Sequence, residues 1–205
     1  MVTVSIAVEG ASDVPAAEKI LASRSITVDQ RRIFVTRGKH NFDKKIGSYN
    51  NAAENSPWFV LRDSDRDGSD CPATLREMLL PADRQAPGLC FRLAGRALEA
   101  WLMADSETFA RTFSVARSVI PTNAEELPDP KEALINVCRK SRSSEVRKAM
   151  VPPVGSTGRV GPEYVARISD YARDAWRPDV AATAAPSLAR ALREIDNLLL
   201  TGVWR

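Results

Sequence analysis

The chain has 205 residues, 44% hydrophobic and 27% charged, with a formal net charge of +3. That length and balance support one α/β domain with an extension, or two small domains, and exclude collagen, a coiled coil and wholesale disorder. No apolar run approaches the roughly twenty residues that a spanning helix needs, so a soluble chain without membrane contact is expected.

The start, Met1 to Gly10, lacks a basic leader region and runs straight into Glu9 and Asp13, so it reads as a strand rather than an export signal. Val2, Val4, Ile6 and Val8 alternate, as in a strand ending near Glu9, and Gly10 permits a sharp turn. Ser12 is the expected N-cap of a helix over 13–23, with Val14, Ala17, Ile20 and Leu21 on one face and Pro15 in the first turn. A second strand is expected over Arg32 to Thr36, a helix over Lys39 to Tyr49, and a short third strand over Trp58 to Arg62, apolar until its last residue. A helix over Pro72 to Leu80 and a fourth strand over Gly88 to Leu93 follow. Strands separated by helices of about ten residues imply crossover connections and a mainly parallel sheet. Past Arg96 the period changes. Leu98, Trp101, Leu102 and Asp105 follow helical spacing, and 131–140, 162–175 and 186–200 also read as helices, with a loop over Val151 to Gly161. The fold expected is a Rossmann-like α/β sheet over 1–95, followed by a helical extension over 96–205.

Cys71, Cys90 and Cys138 are widely spaced, with no C-x-x-C pair, which supports neither a disulfide framework nor a thiolate zinc site; a reducing cytoplasm is expected. His40 is the single histidine, so a bound metal has to be held by oxygen. Open parallel sheets bind ligands outside the carboxyl ends of their strands, and carboxylates gather there. The first strand delivers Glu9 and Asp13, the third Asp63 and Asp65 two positions apart. Crowding them is costly unless a divalent cation neutralises them, and an all-oxygen donor set suits Mg²⁺ or Mn²⁺. Asp63, Asp65, Asp67 and Gly68 also match the opening of an EF-hand loop, but its twelfth position is Thr74 instead of glutamate and a strand precedes it. Asp70 reads as a helix cap and Asp67-Gly68 as a turn.

The pairing of V-E-G on the first strand with D-x-D after a later one resembles the Toprim domain of topoisomerases and primases. The Glu9-x-x-x-Asp13 spacing is closest to the branch of overcoming-lysogenization-defect nucleases. R-L-A-G-R-A-L-E-A-W-L-M-A-D (Arg92 to Asp105), D-P-K (Asp129 to Lys131) and the stretch from Trp176 to Arg190 resemble a small bacterial Toprim-like family of unknown function. The resemblance implies Glu9 as general acid or base, Asp63 and Asp65 as Mg²⁺ ligands that share in catalysis, and Asp13 as a further ligand. It also implies Mg²⁺-dependent phosphodiester hydrolysis on DNA or RNA, in anti-phage defence with a separate ATPase partner, since no phosphate loop for ATP occurs in this chain. A homodimer stays open.

Lys39, Arg92, Arg96 and Lys131 are candidate phosphate contacts, although Arg96 and Glu99, three apart, also fit a simple helix-surface pair. Arg62 and Arg66 flank the first aspartates and either pair with them or meet a phosphate. Trp101 and Trp176 read as core more readily than as base-stacking residues.

Residues 1–105 carry 14 basic and 14 acidic side chains and the rest 15 and 12, so the positive excess is C-terminal. Arg139, Lys140, Arg142, Arg147 and Lys148 form either a nucleic-acid patch or a solvated helix face. Two other functions fit the composition: a non-catalytic interaction subunit of an ATPase-containing complex, and a phosphotransferase or phosphatase acting on a nucleotide.

Overall fold

The computed structural model describes residues 2–64 and 72–205. Four strands, β1 (Thr3–Val8), β2 (Thr27–Val35), β3 (Trp58–Asp63) and β4 (Leu89–Ala94), form one sheet in the order β2-β1-β3-β4. Every pairing is parallel. The fold is therefore α/β with helices on both faces, followed by C-terminal helices, as the sequence pattern leads one to expect.

Alternation along the strands decides which helices cover which face. Val4, Ile6 and Val8 of β1 join Phe59 and Leu61 of β3 in a large buried cluster beneath α1 (Val14–Ala22) and the C-terminal helices. Ala7, Trp58, Val60 and Phe91 point the other way, into a smaller cluster closed by α2 (Lys39–Ala53) and α3 (Pro72–Leu79). A central strand covered on both faces has no polar side to show, which explains the unbroken Trp-Phe-Val-Leu run of β3. Each such side chain contributes about 1.5–3 kcal/mol by leaving water.

β2 starts five residues before the expected strand. Its pattern is mostly exposed, and the register with β1 jumps from Val4↔Val28 to Ile6↔Ile33, leaving Asp29 to Arg32 bulged out. An edge strand paired on one side needs no apolar alternation, and a charged bulge discourages a further strand from adding. Ser12 is not the cap of α1. That helix starts from a 3-10 turn over Ala11–Asp13, and the Ser12 hydroxyl donates to Asp13 Oδ1 at 3.1 Å.

The C-terminal part begins with α4 (Leu98–Ala104) and α5 (Ser106–Thr112) and continues through α6 (Pro130–Arg139), α7 (Ser144–Met150) and α8 (Tyr164–Asp170). After a five-residue π turn come α9 (Pro178–Ala181) and α10 (Pro186–Leu200). α4 is the hub. Trp101 is fully buried, and its indole N–H donates to Ser187 Oγ at 2.7 Å and to Glu125 Oε1 at 3.0 Å, tying α4 to the start of α10. Trp176, equally buried, donates from its indole to the Trp101 carbonyl at 3.2 Å. Both tryptophans are core.

Asp105, with no exposed surface, accepts from the Arg177 guanidinium at 2.7 and 3.0 Å and from its backbone N–H at 3.1 Å. The W-R-P motif is thus a clamp that fastens the approach to α10 onto the end of α4. No helix among the described residues is long and apolar enough to cross a membrane.

Candidate functional site

Three chain segments meet at the carboxyl ends of β1 and β3. Just past β1, the Glu9 carbonyl accepts from the backbone N–H groups of Arg37 and Gly38, at 2.9 and 3.4 Å, which brings the start of α2 and Lys39 alongside. Gly38 sits at φ +118°, a conformation that side chains other than glycine's resist. One tight turn on, Asp13 Oδ2 accepts from the Gly10 N–H at 2.7 Å. Asp63 ends β3, and its Oδ1 accepts from the Leu98 N–H at 2.9 Å, which seats the first turn of α4 against the strand. Arg96, at φ 64°, turns the chain into that helix and donates its N–H to Ser64 Oγ at 2.8 Å.

The turn delivers Glu99, 5% exposed, into the same region. Glu99 Oε1 accepts from the Tyr164 hydroxyl at 2.6 Å and pairs with Lys131 Nζ at 3.1 Å. Its Oε2 is buried and has no hydrogen-bond partner among the described residues. Lys131 also stands 6.0 Å from the centre of the Tyr164 ring. It reaches inward because Asp129 caps α6, accepting from the Glu132 N–H at 2.9 Å, with Pro130 at the first helical position. The D-P-K motif is thus a helix start that aims its lysine at a buried carboxylate.

Electrostatics show that these groups sense one another. Burial, and after it the charges of Asp13, Glu99 and Glu9, push the Asp63 carboxyl well above the usual carboxylate range, with Lys131 pulling the other way. Burial also lifts Asp13 to about 6, helped by the Glu99 charge and opposed by the Gly10 N–H, Ser12 and Lys131. For Lys131, burial disfavours the charged ammonium, but Glu99, Asp63 and Asp13 outweigh it and hold the lysine as a cation.

Asp63, Arg96 and Lys131 line an open cleft of about 440 Å³, together with Asp129 and Arg159. Of the expected phosphate contacts, Arg96 and Lys131 therefore border Asp63. Lys39 stands at the head of α2 beside the end of β1. Arg92 lies elsewhere, its guanidinium 2.8 Å from Glu194 of α10. Arg62 is almost fully buried and is held by Asp43 of α2 at 2.7 and 3.0 Å, on the sheet face opposite Asp63, so it does not cover that carboxylate. Asp65, Arg66, Asp67 and Asp70 lie outside the described residues. Within the described residues, no three His, Cys, Asp or Glu side chains form a ready metal cage.

Glu99 and Tyr164 were not expected here. Arg96 and Glu99 do not form the surface pair that their spacing allows, since Glu99 is buried against Lys131. The available signal was a glutamate inside the apolar run Ala-Leu-Glu-Ala-Trp-Leu, where an acid needs a partner. No family model, curated protein or solved structure matches this chain.

The burial of these carboxyls has a pH signature. A carboxyl raised in the folded state binds its proton more tightly there than in the unfolded chain. Asp13 and Asp63 therefore contribute a destabilisation that is absent at about pH 4 and grows as pH rises through about 6. In a chelator, the melting temperature is expected to be higher at about pH 5 than at about pH 7.5. A melting temperature that climbs across that interval in calorimetry would count against carboxyls buried in this way.

Proposed function

We propose that the chain is a metal-dependent phosphodiesterase acting on a polynucleotide, with the acid cluster at the ends of β1 and β3 as its centre. The observation that carries this reading is the convergence of Glu9, Asp13, Asp63 and Glu99, from distant parts of the sequence, onto one electrostatic neighbourhood beside an open cleft. Burial first, and after it their neighbours' charges, raises the proton affinities of Asp63 and Asp13, and a hard divalent cation relieves both costs.

The donor set fits Mg²⁺ or Mn²⁺, because every available ligand atom is oxygen and Glu99 retains a buried oxygen without a hydrogen-bond partner among the described residues. Glu9, Asp13 and Asp63 would hold it by drawing together around the ion, because no three of the described acids form a ready cage as they stand, with Asp65 as the fourth ligand expected from the sequence. Such a cation, when bound, offsets phosphate charge and lowers the pKa of an attacking water. The chain's own groups do the remaining work. Glu9 takes the proton from the attacking water. Lys131, kept charged by Glu99, meets charge that develops on the phosphate, and Tyr164 fixes Glu99 by donating to it. Arg96, at the cleft wall, orients a neighbouring phosphate.

The resemblance to Toprim nucleases points the same way and suggests a role in phage defence alongside a separate ATPase. The test pairs calorimetric Mn²⁺ titration with cleavage of labelled oligonucleotides by the parent, Glu9→Gln and Asp63→Asn chains. Metal binding with cleavage in the parent, and loss of cleavage by at least about a hundredfold in both variants, is the expected result. Variants that melt like the parent and cut as fast would end this assignment.

A further inference from the structure

The cleft beside Asp63 does not stop at the acid cluster. A second cavity of about 270 Å³ shares Lys131, Glu132 and Arg159 with it and runs on past Ile135 to Arg139 and Pro152. Lys131, Ile135 and Arg139 are four apart on α6, so one face of that helix forms a continuous wall. Between the first and last of them the helix rises about 12 Å, eight residues at 1.5 Å each. The opposite wall comes from the loop following α7.

That loop is held at its neck. The Gly161 N–H donates to the Met150 carbonyl and the Glu163 N–H to the Ala149 carbonyl, both at 3.0 Å. A Cβ on Gly161 would fall 2.3 Å from the Ala149 carbonyl oxygen, so only glycine closes the neck this tightly. Arg159, near the loop's end, reaches across to Asp129, the cap of α6. The outer cavity carries three cations, Lys131, Arg139 and Arg159, against one carboxylate, Glu132. Ile135 and Pro152 supply apolar surface between them.

We propose that this groove is the track for a single polynucleotide strand, whose phosphates run from Arg139 past Arg159 to the acid cluster; this rests on the hydrolytic reading above. Small-molecule cavities run to about 300–1,000 Å³, so volumes of about 440 and 270 Å³, the second just under that range, match the scale of single nucleotide units laid end to end. Cations on both walls match a backbone passing between them, and the apolar patch matches the flat face of a base.

Fluorescence anisotropy in EDTA tests the track without cleavage, using a labelled single-stranded oligonucleotide and the duplex of the same length. The expected result is single-strand binding at least about tenfold tighter than duplex binding, with Arg139→Ala and Arg159→Ala each weakening it about tenfold and lowering the salt slope by about one. Arg173→Ala, an exposed arginine outside the groove, should bind like the parent. Equal or tighter duplex binding, no binding of the strand by the parent, or groove variants indistinguishable from it would each overturn the track. Because EDTA removes any metal step, strand binding without metal-dependent cutting would refute the hydrolytic reading alone.

Discussion

Glu99→Gln is expected to lower metal-dependent cleavage by at least about a hundredfold while leaving the fold as stable as the parent or more so. Glutamine keeps the shape and can still accept from Tyr164, so what is lost is charge. That charge holds Lys131 as a cation at the cleft and adds to the repulsion on Asp63 and Asp13. Removing it relieves a crowded site and disarms it in the same step. Steady-state cleavage of a labelled oligonucleotide, read beside thermal melting, checks both halves. Tyr164→Phe separates position from charge, because it removes only the donor to Glu99 Oε1. It should cost about tenfold in rate, with Mn²⁺ affinity falling alongside. If Glu99→Gln cuts like the parent, the buried pair with Lys131 is structural and the chemistry lies with other residues.

Arg177→Ala is expected to be the most damaging single change to stability outside the apolar core. It removes the two guanidinium hydrogen bonds that hold a fully buried Asp105 and a third to Glu107, leaving Asp105 with the Thr108 N–H at 3.4 Å and the backbone N–H of residue 177. Removing the guanidinium leaves the buried Asp105 charge without its partner, and solvent around the partly exposed Arg177 side chain softens the loss. The expected reading is a fall in melting temperature of roughly 4–12 °C.

Acid should shrink the difference. Burial raises the Asp105 carboxyl, but Arg177 and the Thr108 donors outweigh it and hold it below the usual range. Its stabilisation is therefore present above the unfolded pKa of about 4 and is lost as pH falls through the lower folded value. The gap between parent and variant should be full at neutral pH and narrow well below about pH 4. A variant melting within about a degree of the parent at neutral pH would dismiss the clamp.

The parallel sheet was legible because its strands announce themselves chemically. β1 alternates, β3 opens on four consecutive apolar residues, and helices of suitable length separate them. β2 was read short, since Thr-Val-Asp-Gln-Arg-Arg has no alternation and an edge strand with a bulge needs none. The short helices α5, α7 and α9 escape a sequence reading because each carries too few apolar residues to show a stripe, whereas the equally short α4 is mostly apolar. Of the candidate site, Glu9 and Asp63 are legible because an acid at the end of an apolar strand stands out, and Asp13 because it follows Glu9 across one tight turn. Glu99 left one local trace, an acid inside an apolar run, but its partnership with Tyr164 spans 65 positions and shows only where α4 and α8 pack together. The D-P-K and W-R-P motifs were recognisable as patterns, but that one aims a lysine and the other fastens a helix follows only from the packing.

The acid cluster has mixed ancestry within the chain: Glu9, Asp13 and Asp63 come from the sheet segments, Glu99, Lys131 and Tyr164 from helices beyond residue 95. Scissors applied at that boundary would leave a fragment holding three repelling carboxylates and none of the ammonium that tempers them. The sheet and its helical sequel are therefore halves of one device, and a minimal version of it cannot be made by dropping either.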